Sequence, residues 1–402
     1  MNTSSSPAVK HPWAAVGAVS LATFSVVTTE MLPVGLLTPV AASLDTSTGT
    51  AGLLLSLPAL LAALFAPLVV LAAGGTDRRT LLCGLLGLMV LANAACALAP
   101  DMGWMLAARV LVGFCIGGIW AIAGGLAARL VPAHHIGLAT AIIFGGVAAA
   151  SVMGVPLGAA IGGWAGWRWA FGAMALFSAL VLALHLAVTP RLPAGRPASL
   201  SQFREQLGNR ALLAGLLLTL LLVAAHFMAF TFVRPLLTGH AGFDAHWLGA
   251  LLFGYGVAGI GGNFVAGLAA ARHIRPTLIA IAAGLTLTPL LFLAVGDSAP
   301  GGGAALLFWG LAYGGVSVAV MNWMMQAAPR AIEIASAMCV TVFNSGIALG
   351  AWAGGRVVDH LGIGANLWAA AGIAGAALAV ALALARTRTG QGDAARAAPA
   401  SR

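Results

Sequence analysis

The chain is 402 residues long; 61% of it is hydrophobic and only 7% is Asp, Glu, Lys or Arg. A soluble globular domain carries roughly 25% charged residues, so no soluble fold of this size covers its surface with so few. The 19 basic residues outnumber the 10 acidic ones, which raises a nucleic-acid partner, and only the positions of the charges can decide that question.

A bilayer core about 30 Å thick needs roughly 20 apolar residues per helix, and about twelve such stretches follow one another here. The expected spans are 13 to 37, 50 to 73, 80 to 99, 103 to 128, 138 to 163 and 168 to 189, then 210 to 237, 247 to 271, 276 to 296, 303 to 328, 335 to 358 and 365 to 385. Span 1 follows one cationic residue, Lys10, is longer than a secretory h-region and has no obvious small-residue cleavage site, so it is expected to be retained. It carries Glu30, three residues before Pro33. Asp77, Arg78 and Arg79 follow span 2. Span 4 holds Arg109 and Trp120, and the loop behind it His134 and His135, expected to be solvated. The longest internal polar break runs from Pro190 to Arg210, with Pro193 and Pro197 inside it. Span 7 holds His226, Phe230 and Arg234, span 8 Tyr255, span 10 Asn322 and Gln326, and span 11 Asn344. Cys83, Cys96, Cys115 and Cys339 all fall within spans, with neither metal spacing nor an external pair, and read as small apolar helix residues.

With the amino terminus in the cytoplasm, Lys10, Arg78, Arg79, Arg129, Arg191, Arg196, Arg204, Arg210, Arg272, Arg275, Arg330, Arg386, Arg388, Arg396 and Arg402 fall on the cytoplasmic side. Only Arg168 and Arg356 sit at external helix ends, while Asp45, Asp101, Asp244, Asp297 and Asp359 mark external loops. This is the positive-inside pattern, so the basic excess is a membrane signature and no nucleic-acid partner is expected.

The polar break separates six spans from six. The expected units are an amino-terminal bundle over residues 1–189, a cytoplasmic linker over 190–209 and a carboxy-terminal bundle with a short tail over 210–402. The halves echo each other at an offset of about 196 to 200 residues, as in a transporter built from a parallel repeat. LAAGGTDRRTLL from Leu71 lines up with LAAARHIRPTLI from Leu268, GLLTPVAASLD with RPLLTGHAGFD, and Gly154 and Gly158 with Gly350 and Gly354. These glycine pairs, and Gly113 with Gly117, put small residues on one helix face, where backbones approach closely.

An ATP-driven pump needs a phosphate loop with its Lys, yet the only Lys is Lys10 in the tail. Transport is therefore expected to be driven by a gradient or merely facilitated, with no cofactor and protons as the coupling ion. A charge at mid-bilayer costs at least about 2.5 to 3.5 kcal/mol, so an ionisable residue there is a functional candidate by default. Glu30 lies deep in span 1, and a low-dielectric cavity favours a protonated carboxyl, as a proton carrier requires. Arg109 is its expected partner. An Arg does not deprotonate, so it sets the behaviour of Glu30 or binds an anion, and a fixed ion pair is the alternative to coupling. His226 and Arg234, eight residues apart, share a helix face and are expected to look into one cavity. A His titrates near neutral pH unless hydrogen bonding makes it structural, and Arg234 has snorkelling as its alternative. Trp120, Phe230, Tyr255, Asn322, Gln326 and Asn344 offer amides and rings to a solute with hydrogen-bonding edges and a flat face, or hold helices together. One proton moving down 100 mV releases about 2.3 kcal/mol. At about 1.4 kcal/mol per tenfold ratio, one carboxylate supports a gradient of several tens.

Across residues 13 to 385 these motifs resemble the major facilitator superfamily and, within it, the twelve-span drug:proton antiporters, in a branch with purine ribonucleoside and arabinose-type sugar efflux pumps. TTEMLPVGLLTPVA, ending its polar run at Glu30, resembles that branch's first span. GGTDRRTLL resembles the superfamily's cytoplasmic gating motif, reduced to Asp77, Arg78 and Arg79. LAARVLVGFCIGGIWA resembles the span-four motif whose Arg is Arg109, GVPLGAAIGGWAGWRWAF the span-five antiporter region, and FMAFTFVRP the nucleoside pump's span seven. Thr80 stands where the full gating motif has Gly and basic residues, and Val155 precedes Pro156 where many antiporters have Gly. The resemblance implies an all-α integral membrane fold: twelve transmembrane helices in two six-helix pseudo-symmetric bundles.

The resemblance further implies alternating access in a bacterial inner-membrane protein with both termini cytoplasmic. The leading expectation is a rocker-switch exporter of a small nucleoside-, sugar- or drug-like molecule, acting as a monomer. Glu30 exchanges a proton for solute, and Asp77, Arg78 and Arg79 latch the cytoplasmic side. Proton-linked uptake or facilitated diffusion uses the same cavity. An intramembrane serine hydrolase built on Ser317 with His226 or His360 is a remote alternative, resting on a lone GxSxA run.

Overall fold

In the computed structural model, which describes residues 11–72, 76–132, 135–192, 200–329 and 331–386, the polar breaks of the sequence become helix starts. Lys10, His134, Pro193, Arg196, Pro197, Arg330, Arg388, Arg396 and Arg402 lie outside the described residues. Asp77 accepts from the N–H groups of Arg79 and Thr80, Asp101 from Trp104, Asn209 from Leu212 and Ser298 from Gly301. Each supplies an acceptor to donors that a first helical turn leaves without one.

Spans 1 to 6 are α1 (Pro12–Ser43), α2 (Thr48–Ala51) running into α3 (Leu53–Ala72), α4 (Arg78–Ala97), α5 (Met102–Leu130), α6 (Ile136–Ala149) running into α7 (Val155–Ala165), and α8 (Trp167–Val188). The short α9 (Leu200–Gln206) follows. Span 7 is α10 (Arg210–Phe230) with α11 (Val233–Pro235), spans 8 and 9 form α12 (Leu248–Val295), span 10 is α13 (Ala299–Gly314) with α14 (Val316–Ala327), and spans 11 and 12 form α15 (Ile332–Arg386).

Among the described residues, 10 helices are long and apolar enough to cross a membrane. At 48 and 55 residues, α12 and α15 would measure about 72 and 82 Å if straight, more than twice the hydrocarbon core. Both are broken. His273 leaves helical geometry at φ −139°, and Gly362 turns the chain at φ +82°, where a side chain would be strained. Each therefore holds two crossings, consistent with the twelve expected.

Two ends differ from expectation. Span 1 continues through Pro39 to Ser43, and span 7 stops regular helix at Phe230 rather than near 237. Pro235 has no N–H for the carbonyl of Thr231, so the helix breaks there and resumes as α11 and a wider turn, Leu236–His240. A similar wide turn, Ala150–Gly154, interrupts span 5 just before Pro156. Such turns recur at functional sites.

Both halves use the same close approaches. Span 5 lies on span 1, where a Cβ at Gly154 would strike Thr28 and one at Gly158 would strike Leu32. Span 11 lies on span 7 in the same way, with Gly350 against Ala224 and Met228 and Gly354 against Met228 and Phe232. Gly113 and Gly117 press span 4 onto Pro58, Leu61 and Ala62 of span 2, as Gly310 and Gly314 press span 10 onto Tyr255 and Gly259 of span 8. In lipid, where burial of apolar surface adds little, such backbone proximity is a main source of helix association.

Between the halves, span 5 meets span 8 where Gly256 touches Ser151 and Val152, and Gly249 faces Pro156. Further joints lie toward the end that carries the acidic loops. Ser47 and the Gly49 N–H donate to the Asp359 carboxylate at 2.5 and 2.7 Å. Phe232, wholly buried, packs with Leu37, Ala41 and Ala51. At the basic end a cavity of about 380 Å³ opens between α9 and span 11, lined by Phe203, Arg204, Leu207 and Met338.

Candidate functional site

Three prolines in spans 1 and 2 organise the site. A proline cannot bond the carbonyl four residues before it, so Pro33, Pro58 and Pro39 free the carbonyls of Thr29, Leu54 and Gly35. Buried, each needs another donor. Arg109, with no exposed surface, donates from Nη1 to Thr29 O at 2.8 Å, from Nε to Leu54 O at 2.8 Å and from Nη2 to Glu30 O at 3.1 Å. Arg234 donates from Nη1 to Gly35 O at 2.6 Å. The fork of donors on one guanidinium suits two carbonyls on different helices, which a lysine's point charge does not.

Arg109 was expected to neutralise the Glu30 carboxylate. Instead it donates to the main-chain carbonyls of Leu54, Thr29 and Glu30, and the Glu30 carboxyl oxygen Oε1 is buried without a partner. The cation stays within electrostatic range of Glu30. Arg234 likewise does not snorkel; it crosses from the second half to span 1.

Glu30 is 5% exposed, inside the bundle rather than at lipid or at the membrane rim. On other faces of the same turn, Thr29 Oγ1 accepts from Asn93 Nδ2 at 3.1 Å and Thr28 Oγ1, against span 5, is buried without a protein partner. Buried polar atoms are nearly always paired in folded proteins, so the unpartnered Glu30 oxygen marks a candidate site.

Facing it from the second half is a stack of flat rings. Tyr313 lies on His226 with centroids 3.4 Å apart and planes 8° apart, His226 on Phe230 at 4.8 Å and 23°, and Phe230 on Tyr255 at 4.7 Å and 28°. Trp309 Nε1–H donates to His226 Nδ1 at 3.0 Å. Tyr313 lies within electrostatic range of Glu30. These are the chain's only two tyrosines, both half-buried in the bundle. Sequence reasoning found Glu30, His226, Phe230 and Tyr255 and missed Tyr313 and Trp309. Their signal was present in WGLAY, where a four-residue spacing puts both rings on one face of span 10.

The other candidates lie elsewhere. Trp120 is half-buried against Phe144 at 6.2 Å. Asn322 and Asn344 donate to Val318 O and Val340 O of their own helices, and Asn344 keeps a buried, unpartnered Oδ1. Gln326 is exposed. Asp77 caps span 3, the Arg78 N–H donates to Leu192 O at the start of the linker, and Arg79 Nη2 donates to Leu186 O at 2.6 Å, so these bonds tie the first half to itself and to the linker. His135, expected to be solvated, packs edge-on against Trp13. The four cysteines are free, three buried and Cys83 partly so. Ser317 is exposed, and His226 Nδ1 is taken up accepting from Trp309 Nε1–H.

A bundle of membrane-crossing helices whose halves share one packing scheme, with a carboxyl and a ring stack meeting inside it, defines a membrane transporter rather than an enzyme. The chain belongs to the Major Facilitator Superfamily, whose family model matches residues 19–351. It is 32% identical over 369 residues, 91% of this chain and 92% of the relative, to the "Transcription regulatory protein OpdE" of Pseudomonas aeruginosa. It is 32% identical over 355 residues, 87% of this chain and 88% of the relative, to the "Purine ribonucleoside efflux pump NepI" of Salmonella typhimurium. Its fold is similar to that of a bacterial homologue of the human lysosomal transporter Spinster, with TM-score 0.76, 15% identity and coverage of 95% and 98% of the two chains.

Proposed function

We propose that this transporter exports a small, flat, hydrogen-bonding solute of nucleoside, sugar or drug type in exchange for protons, by alternating access between bundles 1–189 and 210–402 joined by the linker 190–209. The observation that carries it is the Glu30 carboxyl, buried, without a cation on its oxygen and opposite the ring stack of the other half. A carboxyl tied into an ion pair stays charged; one left among rings and hydroxyls is free to exchange its proton against a solute that competes for the same space. The Salmonella relative bears the name of a nucleoside exporter, which favours export over uptake. The regulatory name of the equally similar Pseudomonas relative assigns no chemistry to a buried carboxyl.

The positive-inside pattern supports a basic end that faces the cytoplasm, in what we read as a bacterial inner membrane. The joints at the acidic end then describe a state closed to the outside. Asp77, Arg78 and Arg79 would latch the opposite side when the halves rock. In everted vesicles loaded with a pH-sensitive dye, inosine, arabinose, chloramphenicol and cationic dyes report solute class and coupling together. Glu30→Gln is expected to abolish proton-driven transport while sparing solute binding and exchange. A Glu30→Gln protein that still drives solute against its gradient refutes the assignment.

A further inference from the structure

Neutral imidazole has one nitrogen that donates and one that accepts. Indole Nε1–H only donates. Its hydrogen bond to His226 Nδ1 at 3.0 Å therefore requires a lone pair on Nδ1 and puts the ring proton on Nε2. To become imidazolium, His226 would have to place a second N–H against the Trp309 N–H. The ring has no room to turn away, with Tyr313 on one face, Phe230 stacked beside it and Phe227 edge-on. Nor does the surrounding offer a counter-charge. Span 10 contributes Trp309 and Tyr313, span 8 Tyr255, and spans 9 and 12 line a small cavity beside the ring with Leu285, Pro289, Phe292 and Leu367. Thr288 in that wall gives its hydroxyl proton to Gly284 O. None of these neighbours of His226 is an Asp, Glu, Lys or Arg, and Glu30 lies within electrostatic range of Tyr313.

We infer that Trp309 is a positioning residue that fixes His226 as a neutral ring protonated on Nε2, so that the second half presents a fixed hydrogen-bond donor and Glu30 alone handles the proton. His226 sits at 2% exposure on the solute-facing stack, where an unlocked histidine would be a second proton acceptor. Burial without a counter-charge removes that acceptor and holds the coupling at one proton per solute, while Trp309 decides which ring nitrogen carries the donor. The stoichiometry rests on the proton-exchange function proposed above, whereas the tautomer does not.

The test is nitrogen NMR on the full-length protein in lipid nanodiscs, labelled with ¹⁵N-histidine, with the His226 signals identified by their loss in His226→Gln. The wild type is expected to show an unprotonated Nδ1 and a protonated Nε2 that do not change between about pH 5 and pH 8, the range over which a free histidine titrates. Trp309→Phe keeps the ring packing and removes the donor, so His226 is expected to stay neutral for want of a counter-charge while its ring proton is no longer confined to Nε2 and Nδ1 becomes partly protonated. A wild-type His226 that titrates there, or carries its proton on Nδ1, overturns the inference whether or not any variant folds. A Trp309→Phe protein whose His226 still carries its proton wholly on Nε2 overturns the lock as well. A silent wild-type His226 in a protein that moves no protons supports the lock and overturns the coupling instead.

Discussion

If Arg109 serves the carbonyls freed by prolines, its worth should depend on those prolines. Removing it with Arg109→Met leaves Thr29 O and Leu54 O, both on buried helix faces, without donors, while Glu30 O can still receive the N–H of Val34. Each buried acceptor left unpaired costs about 1–3 kcal/mol. Pro33→Ala returns an N–H to Thr29 O, and Pro58→Ala returns one to Leu54 O. The expected coupling between Arg109→Met and either proline substitution is therefore about 1–3 kcal/mol, with the Arg109 change less damaging in the alanine background. The cycle cancels the general gain from removing a helix-interior proline and the general cost or benefit of removing a buried cation. Equilibrium unfolding in mixed micelles, followed by the fluorescence of the 11 tryptophans, supplies the four stabilities. Coupling within about 0.5 kcal/mol of zero for both prolines, the range of independent sites, refutes the assignment.

Two more outcomes follow from the joints between helices. Asp359→Ala removes the acceptor of Ser47 and the Gly49 N–H; because Asp359 is exposed, the loss is about 1 kcal/mol, which is about a fivefold shift toward opening at the acidic end. A membrane-impermeant maleimide should label Leu37→Cys, buried beneath that joint, correspondingly faster in Asp359→Ala, and an unchanged rate counts against the joint. Gly350→Ala drives a methyl into the backbone of Ala224 and Met228, whereas Gly372 has open space around its Cβ position. The first is expected to destabilise by about 1–3 kcal/mol and Gly372→Ala to be neutral or stabilising; equal effects in unfolding refute the packing account.

The architecture was legible because it follows from quantities that a sequence displays directly. Twelve apolar stretches and the side on which arginines fall need no tertiary information, and the glycine pairs announced the close helix pairs. Glu30 was legible for the same reason, since an acid in an apolar run has few bland explanations. The partnership of Arg109 was not. Two opposite charges in one bundle invite an ion pair, and the competing demand came from main-chain atoms that carry no letter in the sequence. It was readable only indirectly, by subtracting four from Pro33 and Pro58. The ring stack was half legible because Tyr255 and His226 are conspicuous, while Tyr313 meets His226 only through the packing of span 10 on span 7. The break at Phe230 was hidden because Pro235 acts upstream of itself, on the carbonyl of Thr231.

The three freed carbonyls are served differently, and the difference fits the alternating access proposed above. Thr29 O and Leu54 O are held by Arg109 from their own half, deep in the bundle, so those bonds need not break when the halves rock. Gly35 O is held by Arg234 from the other half, on a side chain that is only half-buried. Opening at the acidic end pulls Arg234 away, and at that depth water can take its place on Gly35 O at little cost. An orphan carbonyl near mid-bilayer would have no such substitute and would lock the halves together. Prolines in span 1 thus create two kinds of acceptor: one pinned permanently so that the Glu30 carboxyl keeps its place, the other pinned reversibly so that the transporter can open.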